Sequence, residues 1–546
     1  MRYLLTFSCW LILCALPVHA QQSPPPNTPL AAGVEQQLQQ LTQSKLKQSL
    51  VILQAIAAAE GANMLPLYNT LLAGNLYFIK ENLQLIAVVK AGTNTTYSDL
   101  LSAEALPALP KKAIKKIRVN NKLRVYLRNL IAELTLSAAD PNKRLVAIQA
   151  VLGNLSSGNL KLIAQLRITE THPAVIALMD LSLSIGRALN AELAVDRIKA
   201  IELLGDSLEP QALKTLIKLS ESYADKEDAQ SLIIKKSVAK ALRNVRQDIE
   251  IYGYVNQLFF GLSLGSVLLL AAIGLAITFG MMGVINMAHG EMIMLGAYTT
   301  YVVQLIMPNF IEYSLLVAIP MAFLVAGSVG ILIERCVIRF LHGRPLETLL
   351  ATFGISLILQ QLVRSIFSPL NRQVTSPAWM SGSLEINPVL SLTYNRLYIV
   401  AFALLVFLAL HFILKKTSLG LNVRAVSQNR PMAKAMGIRT GWVDAMTFGL
   451  GSGIAGIAGV ALSQLTNVGP NLGQAYIIDS FMVVVFGGVG SLLGTLVAAF
   501  SLGTANKILE PTTGAVLASI FVLVFIILFI QKRPKGLFPQ KGRAAE

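Results

Sequence analysis

The chain has 546 residues, 54% of them hydrophobic and 14% charged, with a mean hydropathy of +0.59. Soluble proteins carry roughly 25% charged residues, so this composition excludes a soluble globular fold. The formal net charge of +17 lacks the aromatic-interleaved basic patches of a nucleic-acid binder; it reads as Lys and Arg held in the cytoplasmic loops of a membrane protein.

Residues 1–20 read as a secretory signal peptide. Arg2 gives the positive start, Leu4 to Leu16 the apolar core, and Pro17-Val-His-Ala20 a small-residue cleavage site. Leu13 is bulky where a lipoprotein box requires a small residue. Cys9 and Cys14 leave with the signal and Cys336 remains, so no disulfide, zinc site or Cys nucleophile is expected within one mature chain. Residues 21–33, with Pro24-Pro-Pro26, form a flexible leader. From 34 to 250 charges are frequent, and Leu, Ile and Ala recur at three- and four-residue spacing, the pattern of amphipathic helices. Strand signals are nearly absent, so 34–250 is predicted to be an α-helical domain, placed in the periplasm by the signal ahead of it. Asn142-Lys-Arg-Leu-Val-Ala-Ile-Gln-Ala-Val-Leu-Gly153 and Asp196-Arg-Ile-Lys-Ala-Ile-Glu-Leu-Leu-Gly205 look alike, and Ile234-Lys-Lys-Ser-Val-Ala-Lys-Ala-Leu242 follows them loosely. This irregular repeat fits a short α-solenoid. No catalytic constellation occurs there. His172 is expected to be a loop residue, and the basic run Lys111-Lys112 with Lys115 to Arg118 a solvated helix face.

A membrane span needs roughly 20 apolar residues. The candidates are 256–279, 287–307, 314–337, 348–368, 396–414, 443–465, 476–508 and 513–531. With residue 250 outside, Arg335, Arg339 and Arg344 fall inside, as do Lys415, Lys416, Arg424, Arg430, Lys434 and Arg439. The basic tail Lys532 to Phe538, with Lys541 and Arg543, joins them only if 476–508 is two passes broken at Gly487-Gly-Val-Gly-Ser491. The expected fold is therefore all-α: a polytopic bundle of about eight or nine spans with broken helices, over 254–540, preceded by a helical domain.

Inside a bilayer, polar side chains and helix breaks are costly and line cavities or pathways. The stretch Phe279-Gly-Met-Met-Gly-Val-Ile-Asn-Met-Ala-His-Gly-Glu291 holds both. Gly283, Asn286, His289, Gly290 and Glu291 are candidates for a helix break or gate, with Gly487, Gly488 and Gly490 a second set. His289 and Glu291 face different ways on a helix, which argues against a shared metal; no metal site and no catalytic residue are expected. Topology puts 280–290 near the cytoplasmic side, favouring an inner-gate or structural role over a mid-membrane solute contact. Glu334-Arg335 reads as interfacial, and Arg364 and Asp479 as lone charges without a partner in the sequence. Gly451-Ser-Gly-Ile-Ala-Gly456 matches a dinucleotide fingerprint but lies within an apolar helix, where small residues serve close packing; the Gly261/Gly265 and Gly490/Gly494 pairs read likewise. No phosphate-binding loop occurs, so the chain is not expected to hydrolyse ATP itself, and no cofactor is expected. Loop 415–441 carries Arg424, Arg430, Pro431, Ala433, Lys434, Gly437 and Arg439. Pro431 can open a short helix and Gly437 close one, which would offer a cytoplasmic partner a helical contact.

Several blocks together resemble the branched-chain amino-acid type permeases of bacterial ABC importers: Leu262-Ser-Leu-Gly-Ser266, Gly283-Val-Ile-Asn-Met-Ala-His-Gly-Glu291, Gly420-Leu-Asn-Val-Arg-Ala-Val426 with Ala435 to Arg439, Val485-Phe-Gly-Gly-Val-Gly-Ser491 and Arg533-Pro-Lys-Gly-Leu-Phe538. The resemblance covers about 254–540, with Met287 where the family often has Phe and Leu493 where Pro is common. It implies a non-enzymatic permease subunit in the inner membrane, whose 415–441 loop couples to cytoplasmic ATPase subunits. It also implies a second permease subunit and a periplasmic solute-binding protein as partners, besides membrane lipid. A long exported helical domain ahead of the permease resembles the urea-importer permease of that family, which points to urea. A branched-chain amino-acid permease, and a partner-independent channel or secondary transporter, stay open as alternatives, as does a membrane-anchored scaffold.

Overall fold

The computed structural model describes residues 33–538 except 45–47, 92–93, 101, 103, 108–109, 111–112 and 154. The signal peptide, the leader as far as residue 32, the Lys111-Lys112 pair, Lys541 and Arg543 lie outside the described residues. The chain divides into two compact units, Met1–Arg243 and Asn244–Glu546.

Among its described residues, the first unit begins with helices α1 (Val34–Gln43), α2 (Ser49–Glu60) and α3 (Leu65–Leu72). It continues into an antiparallel sheet of β1 (Leu76–Ile79), β2 (Leu85–Ala91), β3 (Asn94–Asp99), β4 (Ala105–Leu106) and β5 (Ile114–Lys116), in the order β4-β3-β2-β1-β5. The reading of 34–250 as helical throughout is corrected here. The segments Leu76-Tyr-Phe-Ile79, Leu85-Ile-Ala-Val-Val89 and Asn94-Thr-Thr-Tyr97 are rich in β-branched and aromatic residues over short runs, the composition of strands. Lys115 and Lys116 accordingly stand on edge strand β5, paired with Phe78 and Tyr77, rather than on a helix face. Leu53, Ile56, Leu67, Tyr68 and Leu71 of the helices are fully buried against Leu76 and Phe78 of the sheet.

Six helices follow: α4 (Asn121–Leu136), α5 (Pro141–Leu152), α6 (Ser157–Leu166), α7 (Pro173–Asn190), α8 (Ala194–Gly205) and α9 (Pro210–Ser222). His172 sits at the N-terminal boundary of α7. The weak sequence repeat has a physical counterpart. Arg144, at the start of α5, donates to the carbonyl of Ala138 six residues back and to Glu170 twenty-six residues on. Arg197, at the start of α8, donates to the carbonyl of Ala191 six residues back and to the Tyr223 hydroxyl twenty-six residues on. The same clasp thus fastens two successive helical layers. Arg144 and two backbone N–H groups hold the Glu170 carboxyl down to about 2.

The second unit is a helical bundle. The long helix α10 (Ala229–Met282), inside which the division between units falls, is followed by α11 (His289–Ile306), α12 (Ile311–Cys336) and α13 (Pro345–Phe367). A small hairpin, β6 (Ser383–Glu385) with β7 (Ser391–Thr393), precedes α14 (Tyr394–Lys416). Then come the short α15 (Ser418–Gln428) and α16 (Arg430–Ala435), and α17 (Thr440–Ser463), α18 (Leu472–Gly487), α19 (Leu492–Thr513) and α20 (Ala515–Lys532). Region 476–508 is two helices joined by a turn at 488–491. Among the described residues, eight helical stretches are long and apolar enough to cross a bilayer. One of them, Ser49–Leu72, is broken by a 3₁₀ turn at Gly61–Met64 and supplies the core of the first unit instead. The helix α11 is not among the eight, because its first turn carries His289 and Glu291.

Small residues set the packing. In α17, Gly451 lies against Gly274 of α10, Gly453 against Phe323 of α12, and Gly456 against both Ala322 and, from α11, Gly296. A Cβ on Gly296 would stand 1.9 Å from the carbonyl oxygen of Gly456. The fingerprint-like spacing therefore serves three helix contacts at backbone distance, the usual way transmembrane helices gain packing energy.

Candidate functional site

Helix α10 ends at Met282, and the chain turns at Gly283, whose φ of +71° favours glycine. The expectation that 280–290 stays at that end is corrected by the next residues. The His289 ring reaches Ala271, its Nε2 lying 2.8 Å from a carbonyl eighteen residues back. Ala271 is about 16 Å before the end of α10 at 1.5 Å per residue, roughly half of a 30 Å hydrocarbon layer. Residues 283–288 thus fold back into the bundle, and α11 starts in its interior. Asn286 Oδ1 accepts the backbone N–H of Ala288 at 3.0 Å and so caps the re-entrant turn. Asn286, His289 and Glu291 are at most 1% exposed.

Glu291 and His289 point to different helices, Glu291 towards α13. Its Oε1 accepts from Ser356 Oγ at 2.9 Å and Gln360 Nε2 at 2.8 Å, and one turn earlier Thr352 Oγ1 accepts the Met287 N–H at 3.2 Å. Thr348, Thr352, Ser356 and Gln360 form a buried stripe at four-residue spacing, the inward face of α13. Its opposite face exposes Leu346, Leu350, Leu357 and Ile358, as a lipid-facing surface would. One turn beyond Gln360, Arg364 donates to Asn471 Oδ1 at 2.8 Å, which gives this charge the partner that the sequence did not show. Four buried polar atoms along the α11 side have no hydrogen-bond partner: Asn286 Nδ2, His289 Nδ1, Glu291 Oε2 and Tyr298 Oη. The sequence reading missed Thr352, Ser356, Gln360 and Asn471. The signal was present, as hydroxyl and amide residues at every fourth position of an otherwise apolar span.

Asn471 immediately precedes α18, a helix of 16 residues, about 24 Å long and shorter than a bilayer core. Gly473 in its first turn touches Gly290 at backbone distance, so two helix beginnings meet inside the unit. The far end of α18 explains the second glycine set. Gly487 packs on Gly494 and Gly490 on Gly280. Gly488, with φ +102°, leaves room for the C-terminal block. There Leu537 and Phe538 donate their N–H groups to the carbonyls of Phe486 and Gly487 at 2.9 and 3.1 Å. Two separate sequence blocks, 485–491 and 533–538, are thus one structure. Asp479 borders a small cavity shared with Asn506 and Ser519.

The 415–441 loop forms the two short helices α15 and α16. Thr417 caps the first through the Gly420 N–H and Asn429 the second through the Met432 N–H. Pro431 lies in the first turn of α16, and Gly437 follows its end with φ +87°. Arg424 donates to the Leu414 carbonyl. Arg430 is the tether. It donates to Asp444 Oδ2 at 2.5 Å and lies 2.8 Å from His342 Nε2, in the turn between α12 and α13. Ala433 of α16 is buried, while Lys434 and Arg439 are exposed. So are Leu421, Met432 and Met436, at 61%, 60% and 75%. Nearby, the Glu334 side chain is almost fully buried, and Arg335 stacks over Trp442.

The model of the family described as "Branched-chain amino acid transport system / permease component" matches residues 257–530. The chain belongs to this family. It is accordingly a multi-pass membrane protein of the transport-permease type. Among similar family members, the high-affinity branched-chain amino acid transport system permease protein LivH of Salmonella typhimurium is 31% identical over 295 residues, 52% of this chain and 95% of LivH. The corresponding BraD protein of Pseudomonas aeruginosa is 29% identical over 299 residues, 53% of this chain and 96% of BraD. The ribose import permease protein RbsC of Escherichia coli is 28% identical over 263 residues, covering 46% of this chain and 77% of RbsC. No solved structure matches the chain significantly.

Proposed function

We propose that this chain is the membrane permease subunit of an ATP-driven importer in a bacterial inner membrane, with urea as its solute. The observation that carries the importer reading is the α15–α16 hairpin. It presents Leu421, Met432 and Met436 to the surface beside Arg424, Lys434 and Arg439, while Arg430 ties it to the bundle. Exposed apolar side chains rimmed by charge mark a protein-docking site, and cytoplasmic ATPase subunits are the occupants that fit. Nucleotide binding there would bias the bundle between two access states. A second permease subunit and a periplasmic solute-binding protein complete the assembly. The chain needs no cofactor, because no bond is made or broken in it. Residues 34–250, exported behind the signal peptide, form the periplasmic part.

One observation supports urea. LivH and BraD are matched over nearly their whole length by about half of this chain, so they offer no counterpart to its N-terminal half. The second reading, a branched-chain amino-acid permease, is favoured by the names of those relatives. Uptake of labelled urea and labelled leucine, compared in cells with and without this chain and with the companion ATPase inactivated, separates the readings. Leucine uptake lost while urea uptake stays intact overturns urea. Uptake that persists without the ATPase overturns the importer.

A further inference from the structure

Glu334 is a buried acid in a costly place. It is 2% exposed and lies in the last turn of α12, where the helix dipole disfavours a negative charge. No hydrogen bond reaches its Oε2; Arg335 Nε stands 3.7 Å away, its guanidinium stacked over Trp442. An acid held this way in a membrane bundle costs free energy and marks function. The packing of α12 on α17 sets a second acid opposite it. A Cβ on Gly330 would meet the Ser452 side chain, Gly449 packs on Ile331, and Arg335 lies over Trp442. The two helices therefore run antiparallel, and Glu334 stands opposite the turn that carries Asp444. Arg339 and Arg430 complete the charges around Glu334. Asp444 is buried as well, and it holds Arg430 at 2.5 Å. Two buried acids thus lie beside one arginine of the α15–α16 hairpin, and only one of them holds it.

We propose that Glu334 is a positioning residue for the transport cycle, the second acceptor of Arg430. With the hairpin as it stands, Arg430 bonds Asp444 and His342. When nucleotide binding on the ATPase draws α16 along the bundle, the guanidinium leaves both and pairs with Glu334, a position it reaches only with α16 displaced. An arginine suits this exchange, because it stays charged and its fork of N–H groups fits either carboxylate. One acid lacks the arginine in each arrangement, so the two lie close in free energy, and a modest difference in nucleotide affinity chooses between them. A hairpin with a single acceptor would leave both acids without it whenever it moved. The inference rests on the importer reading and adds to it the residue that holds the hairpin in its second position.

The test uses the assembled importer with its companion subunits in lipid nanodiscs, without nucleotide and with a non-hydrolysable ATP analogue. Hydrogen exchange at the Ala433 and Met436 amides reads how firmly α16 is held. Glu334→Gln keeps the shape of the side chain and removes its charge. Its α16 should exchange as in the wild type without nucleotide, and about tenfold faster than the wild type with the analogue. Glu334→Asp, which keeps the charge, should restore wild-type exchange in both states. Asp444→Ala should show the reverse, with exchange quickened in the absence of nucleotide and equal to the wild type in its presence. A purely structural Glu334 would quicken exchange in both states, and that result overturns the proposal. So does a Glu334→Gln protein that follows the wild type in both. Should Glu334→Gln fail to assemble, Asp444→Ala decides, and exchange quickened equally in both states overturns the proposal. If wild-type α16 exchange and solute uptake both ignore the ATPase, the importer reading falls and the second acceptor with it. If the wild type responds to nucleotide and Glu334→Gln matches it, only the second acceptor falls.

Discussion

Removing the Arg430–Asp444 pair should free the short helix α16 without unfolding the bundle. Asp444 has a side chain only 7% exposed, Arg430 one 36% exposed, and their charged atoms are 2.5 Å apart. An exposed ion pair contributes about 0–1 kcal/mol, whereas breaking a buried one costs about 3–5 kcal/mol. A half-buried pair falls between, and Asp444→Ala is expected to cost about 2 kcal/mol. At 1.4 kcal/mol per factor of ten, that is about thirtyfold in the equilibrium between docked and released hairpin. The amides of Ala433 and Met436, bonded to the carbonyls of Asn429 and Met432, report this opening by hydrogen exchange. Their exchange should quicken about thirtyfold in Asp444→Ala, while amides of α17 beyond its first turns stay protected. Arg430→Ala should do the same, and the double variant should be little worse than either single one. Fully additive effects, or unchanged exchange at Ala433 and Met436, would refute the tether.

Two further predictions follow from the same packing. His342 accepts from Arg430, so it must be neutral at Nε2; burial first, then the nearby Arg430 charge, push its pKa below the ordinary 6.5, and Asp444 opposes them. A lowered folded-state pKa means that the contribution is whole above pH 6.5 and fades as the pH falls through the lowered value. Exchange at α16 should therefore quicken on acidification below pH 6.5, and His342→Asn should remove that dependence. Gly296→Ala would place a methyl group 1.9 Å from the Gly456 carbonyl, whereas Gly354→Ala on α13 meets nothing within 4 Å. The first should lower the detergent melting temperature by the equivalent of about 1–3 kcal/mol or more. The second should be neutral or slightly stabilising.

The legibility of this fold divides by the kind of signal involved. The spans of the second unit were readable because hydrocarbon demands long apolar runs, and the break at 487–491 was readable because glycines cluster there. The re-entry of 283–288 was not, since charge counting assigns a loop to a side and carries no depth; only the bond from His289 to Ala271 fixes it. The sheet at 76–116 was missed because its strands are short and lie between helices whose three- and four-residue periodicity dominates the neighbourhood. Charge partners such as Arg364 with Asn471, or Arg430 with Asp444, are separated by 107 and 14 residues. No local pattern links them. In the 415–441 loop the capping residues Thr417 and Asn429 were visible as residue types, yet only the structure shows that Arg430 faces inward while Lys434 and Arg439 face out.

The strap formed by Leu537 and Phe538 has a consequence for biogenesis. Until these residues leave the ribosome, the carbonyls of Phe486 and Gly487 lack the donors that satisfy them in the finished protein. Unpaired backbone groups are poorly tolerated at a membrane. Helix α18 can therefore be inserted early but sealed only near the end of translation. A chain cut short before Leu537, or one whose tail is held by a bulky fusion, would reach the membrane with its bundle built and this end open, a form that quality-control proteases could tell from the completed one.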